Sequence, residues 1–238
     1  LIVHAAALLI NIGTVTPDKV TYYKEAVKLA KAHEVPIVLD PVGCHAGAYR
    51  LSVVLDLIKT DAISLLRGNQ SEIKAIYDAL NTNHKVNNSL SGKGVDGEQV
   101  EDSAIITYRL ARQINCPVVA TGEEDYVSDG TRVFAVPHGH SIMTAVTGTG
   151  CLLGAVLAAV FSSYYPFMDN LSIGEFLAYA LAYYGLAGES AVKVSGVKPG
   201  IFSVAFMDAL YEFDDAMLLS KNRIRPVVVP DQLKLYFI

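Results

Sequence analysis

The chain has 238 residues, of which 52% are hydrophobic, 9% aromatic and 18% charged. This composition supports a large apolar core and excludes an intrinsically disordered chain, and the length fits one α/β domain spanning residues 1–238. The 19 basic and 24 acidic side chains give a net charge of −5. Because there is no basic excess to hold a phosphate backbone, we expect no nucleic-acid partner.

The apolar segments and the cysteines indicate the cellular setting. The apolar segment at residues 151–161 falls well short of the ~20 residues that a membrane-spanning helix needs, so we expect no membrane partner. Cys44, Cys116 and Cys151 form no CxxC pair, which argues against a disulfide framework and indicates a cytoplasmic protein. Since the chain opens at Leu1 within an apolar run, we expect the natural protein to carry a segment before it.

The first half of the chain alternates short apolar runs with longer segments of helical period. Thr16 is placed to cap the first helix, Pro17 suits its first position, and Val20 and Val27 fall on its apolar face. The predicted elements are strands at residues 5–11, 35–39, 62–66 and 118–121, helices at 51–58, 71–79 and 100–114, and a polar loop at 81–96.

The second half begins with a hairpin and continues with helices. Asp129 and Gly130 form a hairpin turn signal between runs at residues 126–128 and 131–136. The remaining predicted elements are helices at residues 150–164, 173–194 and 201–219, and an apolar run at 227–229 that is either an edge strand or a packed extension.

Continuous apolar strands that alternate with helices are typical of a mostly parallel sheet covered by helices on both faces. The predicted fold class is therefore α/β. In such sheets, ligands bind outside the carboxyl ends of the strands. Polar clusters follow the four predicted parallel strands, so the sequence predicts one site at this rim, formed by residues 11–14, 40–43, 67–69 and 121–125.

The segment TGTGC, residues 147–151, precedes an apolar helix. Two glycines let backbone N–H groups approach a ligand, and a helix N-terminus carries partial positive charge. Gly148, Thr149, Gly150 and Cys151 are therefore a candidate anion hole for a phosphoryl group. A tight turn before a buried helix explains the same glycines equally well. The segment matches neither the GxxxxGK[ST] pattern nor the GxGxxG pattern.

Cys151 lies in the first turn of that predicted helix. Helix N-termini favour the thiolate form of a cysteine, so this residue is a candidate nucleophile or proton acceptor. The alternative is a small apolar side chain that fills space in the core.

Each of the polar residues at the rim has a functional and a structural interpretation. Asn69 and Glu72 have the spacing of a helix N-cap and its partner, and Glu72 is alternatively a carboxylate for Mg²⁺ and its waters. Asp40 is a second candidate for that Mg²⁺ site, or a turn residue before Pro41. Arg67 can pair with phosphate oxygens or be an ordinary surface arginine.

Two further groups are interpreted as structural. His138 and His140 lie two residues apart without cysteine or carboxylate ligands nearby in the sequence, so we do not assign them a metal. Asp125 and Asp129 fall in turns and are expected to shape them. The aromatic residues within 176–184 are expected to lie in the core or at a subunit interface.

Taken in chain order, these segments resemble the hydroxyethylthiazole kinases of thiamine biosynthesis, a branch of the ribokinase-like superfamily. The matching stretches are INIGT (10–14), LDPVG (39–43), LRGNQSEI (66–73), GKGVD (92–96), TGEEDYVSDG (121–130), GH (139–140) and VTGTGC (146–151). The ordered set carries the resemblance, because none of the motifs is decisive alone.

The resemblance implies a ribokinase-like fold and transfer of the ATP γ-phosphoryl group to the primary alcohol of hydroxyethylthiazole, with Mg²⁺. It implies that Arg67 and Thr121 contact ATP and that Gly148 lines the substrate alcohol. Asn11 and Gly13 are expected to approach the thiazole.

Cys151 stands where most ribokinase relatives have an aspartate base, and the resemblance makes Cys151 the catalytic residue. Asp40 and Glu72 are expected to organise Mg²⁺. The resemblance also implies a homotrimer with sites between subunits. Family members carry more sequence before the INIGT strand, including part of the thiazole pocket.

Three alternatives stay open. The first is a hydroxymethylpyrimidine or pyridoxal-type kinase of the same superfamily, and the second is an ATP- or ADP-dependent lyase that dehydrates hydrated nicotinamide cofactors. Cys151 argues against both, since such proteins have aspartate at this position. The third is a non-catalytic domain, or the kinase half of a bifunctional enzyme fused to thiamine-phosphate synthase.

Overall fold

The computed structural model describes residues 1–81, 96–164, 171–212 and 214–230. These residues form a seven-stranded sheet whose spatial order follows the chain. The first four strands are parallel and the last three are antiparallel. The strands are β1 (Leu8–Asn11), β2 (Ile37–Asp40), β3 (Leu65–Asn69), β4 (Val118–Thr121), β5 (Asp125–Ser128), β6 (Val133–Val136) and β7 (Arg225–Val227).

Helices connect the parallel strands and follow the hairpin. The first helix begins as predicted, because Pro17 is its first residue and the Thr16 hydroxyl accepts the Lys19 N–H at 3.3 Å. The helices are α1 (Pro17–Ala32), α2 (Ala48–Ile58), α3 (Gln70–Asn81), α4 (Asp96–Ile114), α5 (Ile142–Ala145), α6 (Thr149–Ser162), α7 (Ile173–Ser195), α8 (Pro199–Glu212) and α9 (Asp215–Lys221), with short 3₁₀ helices at Ile2–His4 and Cys44–Ala46.

Two apolar cores lie on opposite faces of the sheet. Successive side chains of a strand point to opposite faces, and Leu66 accordingly belongs to one core while Leu65 belongs to the other. Parallel strands in sequential order, joined by right-handed crossovers, place their connecting helices on a single face. Helices α1 to α4 cover that face, and α6 to α8 cover the other.

The predicted α/β class and the hairpin are confirmed, but the predicted bounds of the first three strands are wrong. The first strand begins at Leu8 rather than at residue 5, and the second ends at Asp40. The third runs from Leu65 to Asn69 instead of ending at Leu66. Its polar end stays in the sheet because it continues the ladder with β4, with Asn69 opposite Thr121.

The carboxyl part of the chain differs from the prediction. The single helix predicted at residues 201–219 is two helices, because Asp214 caps α9 by accepting the Met217 N–H at 2.7 Å. The late strand is β7, which pairs antiparallel with β6 and starts two residues before the predicted run. Within the predicted loop 81–96, only Asn81 and Asp96 lie among the described residues, and both belong to helices.

Among the described residues, no helix is both long enough and apolar enough to cross a membrane.

Candidate active site at the carboxyl ends of the parallel strands

The sheet register brings the predicted polar clusters together. Asn11 at the end of β1 is the register partner of Asp40 at the end of β2. Asn69 at the end of β3 is the partner of Thr121 at the end of β4. Because all four strands are parallel, these side chains share one edge of the sheet, as predicted.

An ion pair lies at the centre of this edge. The Arg67 Nη1 is 3.2 Å from Asp40 Oδ1 and 3.3 Å from Oδ2. Both side chains are buried, with 8% of Arg67 and none of Asp40 exposed. The alternative of a surface arginine is therefore wrong. Burial raises the pKa of Asp40 to about 6, although the adjacent Arg67 guanidinium opposes that shift.

The guanidinium of Arg67 also reaches β4 and α6. Its Nη2 donates to the Thr121 hydroxyl at 3.4 Å, and Thr121 in turn donates to the carbonyl of Gly68. A Cβ atom built on Gly150 lies 3.5 Å from the same Nη2, so Arg67 faces the start of α6. The Nε of Arg67 is buried and has no hydrogen-bond partner among the described residues. A buried donor of this kind is suited to an anionic ligand.

Glu72 joins two of the strand ends. One carboxylate oxygen accepts the Asn69 N–H at 2.7 Å, and the Asn69 side chain accepts the Glu72 N–H at 2.9 Å, which is the predicted capping pair. The other oxygen accepts the Gly43 N–H at 2.8 Å. Glu72 therefore holds the loop after β2 against the start of α3.

Asp40 and Glu72 are the carboxylates predicted to organise Mg²⁺ and its waters. Across the described residues there is no cluster of three or more His, Cys, Asp or Glu side chains that could hold a metal ion. Asp40 and Glu72 still fit a hydrated ion, because carboxylates offer about four lone-pair sites each and Mg²⁺ in phosphate sites keeps several waters. Their assignment to Mg²⁺ stays a prediction.

The TGTGC segment forms the N-terminus of α6. Gly148 precedes the helix with a φ of +97°, a left-handed conformation that side chains disfavour. The N–H groups of Gly150 and Cys151 have no acceptor among the described residues, as expected for the first turn of a helix. Their donors and the helix dipole suit an anion, and the assignment of an anion hole to this turn stays a prediction.

Cys151 is exposed at this turn, whereas Cys44 and Cys116 are buried. The space-filling alternative for Cys151 is therefore wrong. Its Sγ accepts an N–H from the Asn11 side chain at 3.3 Å, and the same Asn11 nitrogen donates to Asp40 Oδ2 at 2.9 Å. We call the connected side chains of Asn11, Asp40, Arg67, Thr121 and Cys151 the rim cluster.

Two residues that support the site escaped the sequence reasoning. Arg50 on α2 donates to the carbonyls of Ile12, Gly13 and Val42, and so joins the loops after β1 and β2. Tyr184 on α7 donates its hydroxyl to the Thr149 carbonyl at 2.5 Å and holds the start of α6. An arginine on an ordinary helix carries no sequence signal, and the aromatic run at 176–184 predicts only burial.

Both histidines make hydrogen bonds to the protein. Nε2 of His138 accepts the Arg223 N–H at 3.0 Å, and its Nδ1 lies 3.4 Å from Glu189. Burial lowers the pKa of His138. His140 accepts the Ile142 N–H through Nδ1 at 3.2 Å.

Asp125 and Asp129 shape turns, as predicted. Asp125 accepts the Gly122 N–H at 2.9 Å, and Asp129 accepts the N–H groups of Thr131 and Arg132.

The comparisons with known proteins agree with this geometry. A family model described as the hydroxyethylthiazole kinase family matches residues 1–216. A protein of Streptococcus agalactiae serotype Ia, named hydroxyethylthiazole kinase, is 43% identical over 218 residues, which is 91% of this chain and 80% of that protein. The chain belongs to the hydroxyethylthiazole kinase family. The predicted family is thereby confirmed.

Solved structures show the same fold. The hydroxyethylthiazole kinase protein from Pyrococcus horikoshii OT3 superposes with a TM-score of 0.80 at 32% identity, covering 95% of this chain and 79% of that one. A ribokinase-like superfamily protein from Enterococcus faecalis V583 gives a TM-score of 0.57 at 14% identity, covering 87% of this chain and 64% of that one. The second likeness shows the fold alone, and the predicted ribokinase-like class is confirmed.

Proposed function

We propose that this chain transfers the γ-phosphoryl group of ATP to the primary alcohol of hydroxyethylthiazole. The observation that carries the proposal is the rim cluster, in which a buried arginine and an exposed cysteine share one hydrogen-bonded network beside the N-terminus of α6. The names of the relatives at 43% and 32% identity support the thiazole as the acceptor.

Arg67 and Thr121 form the nucleotide end of the site. The buried guanidinium has no partner for its Nε among the described residues, and Thr121 presents its hydroxyl at the end of β4. Phosphoryl transfer depends mostly on positioning and on stabilising charge at the phosphoryl oxygens. Arg67 and the N–H groups of Gly150 and Cys151 are donors suited to that charge.

Cys151 forms the acceptor end, with Gly148 just before the same helix and Gly13 linked to the cysteine through Asn11. The alcohol oxygen forms a bond to the γ-phosphorus, and the bond from that phosphorus to the β–γ bridging oxygen breaks. The electron pair of the broken bond leaves with ADP. The proton of the alcohol passes to Cys151 Sγ and from there to solvent. Because the transition state is loose, a weakly basic sulfur is sufficient.

Asp40 and Glu72 are the residues that would hold Mg²⁺ through its waters. The ion supplies charge neutralisation at the β- and γ-phosphate oxygens. Removing divalent metal with EDTA is expected to abolish transfer, and added Mg²⁺ is expected to restore it. Full activity in EDTA would contradict this part of the proposal.

The remaining features concern assembly and location. We propose that residues 1–238 form one domain, that three copies assemble with sites between subunits, and that the protein works in the cytoplasm. The continuous sheet supports one domain, and the exposure of Cys151 supports a site that a second subunit covers. Light scattering after size exclusion tests the trimer, and a monomer with full activity would contradict it.

A substrate panel tests the function. ADP release is measured with ATP and Mg²⁺ and with hydroxyethylthiazole, hydroxymethylpyrimidine or pyridoxal supplied separately. We expect thiazole-dependent release and a product whose mass is that of the phosphorylated thiazole. Release only with another alcohol would favour the related kinases, and no release from protein that binds ATP would favour the lyase or a non-catalytic domain.

Substitutions at Cys151 test the proton acceptor. Cys151→Ala removes it, and we expect kcat to fall about 100-fold, the usual size of a general-base contribution. Cys151→Asp replaces it with a carboxylate and is expected to keep or raise kcat. A folded but inactive Cys151→Asp variant would show that the position does not accept the proton.

A further inference from the structure

The side-chain amide of Asn11 makes three hydrogen bonds at the rim. Its Oδ1 accepts the N–H of Gly13 at 2.8 Å. Its Nδ2 donates to Asp40 Oδ2 at 2.9 Å and to Cys151 Sγ at 3.3 Å. Both N–H hydrogens of the amide are thereby used, and neither is left for another acceptor.

The orientation of this amide follows from its neighbours. A backbone N–H can only donate, so the atom that faces Gly13 is the amide oxygen. The Asp40 carboxylate is paired with Arg67 and accepts, so the atom that faces it is the amide nitrogen. The absence of a side chain at Gly13 matters as well, because a Cβ there would lie 2.9 Å from Asn11 Oδ1. The sulfur of Cys151 is therefore held as an acceptor.

We propose that Asn11 is a positioning residue for Cys151, rather than a contact to the thiazole. Resting on the proposed function, this assigns the amide the task of fixing Sγ beside the acceptor alcohol. A hydrogen bond donated to sulfur is stronger when the sulfur carries negative charge. Asn11 thus stabilises the form of Cys151 that takes up the alcohol proton, and its link to Asp40 ties that sulfur to the Arg67 end of the site.

A double-mutant cycle tests this role in the assembled enzyme. Asn11→Leu removes both donated hydrogen bonds at similar volume, and kcat is expected to fall about tenfold while both KM values change less than about twofold. In a Cys151→Ala background, Asn11→Leu is expected to cause no further fall, because its effect passes through the sulfur. An equal fall in both backgrounds, or a rise confined to the KM for the thiazole, would overturn the proposal.

Alkylation of Cys151 gives a second measurement that needs no kinase activity. Cys44 and Cys116 are buried, so iodoacetamide reports on the exposed Cys151, with the modified residue identified by mass. Asn11→Leu is expected to slow alkylation at pH 8 by about threefold, because the sulfur loses its N–H donor. Asn222→Leu is the matched control, since Asn222 accepts the Ile224 N–H in a turn outside the rim cluster. Cys151 in that variant should alkylate at the wild-type rate.

The outcomes separate this inference from the proposed function. An unchanged alkylation rate in folded Asn11→Leu protein would overturn the positioning role, whether or not the wild type is a thiazole kinase. If the wild type transfers phosphate to none of the alcohols, the proposed function fails and the alkylation result still decides the role of Asn11. If Asn11→Leu does not fold, Asn11→Ser takes its place, because a serine hydroxyl is too short to reach Sγ.

Discussion

Two polar clusters in this protein combine an arginine with a carboxylate, and they differ in whether a buried hydrogen-bond donor lacks a partner. In the rim cluster, the buried Nε of Arg67 has no partner within the part of the chain that the structure describes, and Cys151 is open to solvent. The second cluster consists of His138, Glu189 and Arg223, and we call it the tether cluster. Its hydrogen bonds join these side chains to one another and to the backbone of residues 137, 139 and 223, and the Arg223 side chain is largely exposed.

The difference shows how to separate a site from a structural network. The tether cluster attaches the segment before β7 to α7 and to the end of β6 through hydrogen bonds between protein groups. The rim cluster retains donors at the end of a strand and at a helix N-terminus, where the protein itself does not use them. A ligand site is expected to have hydrogen-bond donors that lack protein partners and converge on an open edge of the sheet.

The largest expected effect comes from replacing Arg67 with alanine, compared with the same replacement at Arg223. Arg67→Ala leaves the buried Asp40 without its partner, and we expect kcat/KM for ATP to fall at least about 100-fold, as when a transition-state donor is removed. Arg223→Ala is the matched control and should keep kcat/KM within about twofold. Thermal unfolding of both variants separates folding from catalysis, and Arg67→Lys tests the charge alone. Similar losses of activity in both alanine variants would contradict the proposed difference between the rim cluster and the tether cluster.

A glycine substitution tests the packing beneath the tether cluster. A Cβ on Gly185 would lie 2.6 Å from His138 Cβ and 2.7 Å from its carbonyl carbon, so Gly185→Ala forces α7 away from β6. We expect the free energy of unfolding to fall by about 1–3 kcal/mol, the usual cost of overpacking. Gly200→Ala is the control, because nothing lies within 4 Å of its Cβ. Denaturant unfolding measures both, and equal stabilities would contradict the close packing.

The smallest expected effect is a pH dependence of stability. Burial lowers the pKa of His138 below its usual 6.5, so the unfolded chain binds the proton more readily than the folded one. This histidine therefore stabilises the fold above pH 6.5, and its contribution is lost as the pH falls below that value. His138→Gln should be less stable than the wild type at pH 7.5, and the difference should shrink toward pH 5.5. A difference that widens toward pH 5.5 would contradict the lowered pKa.

The sequence predicted which strand ends form the site better than it predicted the hydrogen bonds that join them. Apolar runs located the parallel strands, and the polar residues after them identified Asp40, Arg67 and Thr121 as candidates. The ends of β2 and β3 were misplaced because Asp40 and Asn69 are polar, yet their backbones remain in the ladder. A prediction from hydrophobicity alone ends a strand where its side chains become polar, even when the backbone continues in the sheet.

The role of Asn11 could not be predicted in this way. Its hydrogen bonds join residues 29 and 140 positions away. The register of β1 and β2 brings Asp40 to Asn11, and the packing of α6 on the sheet brings Cys151. Arg50 escaped notice for the same reason, since its acceptors are backbone carbonyls that a sequence does not distinguish. The capping pair of Asn69 and Glu72 was predictable because it is local.

The most direct test is transfer of a labelled γ-phosphoryl group from ATP in a single turnover, with hydroxyethylthiazole as acceptor and the product identified by mass. We expect the label in the phosphorylated thiazole with wild-type protein and with Arg223→Ala, and almost none with Arg67→Ala. Label that stays in ATP or appears only as inorganic phosphate, from protein that binds both substrates, would contradict the assignment of this edge of the sheet to phosphoryl transfer.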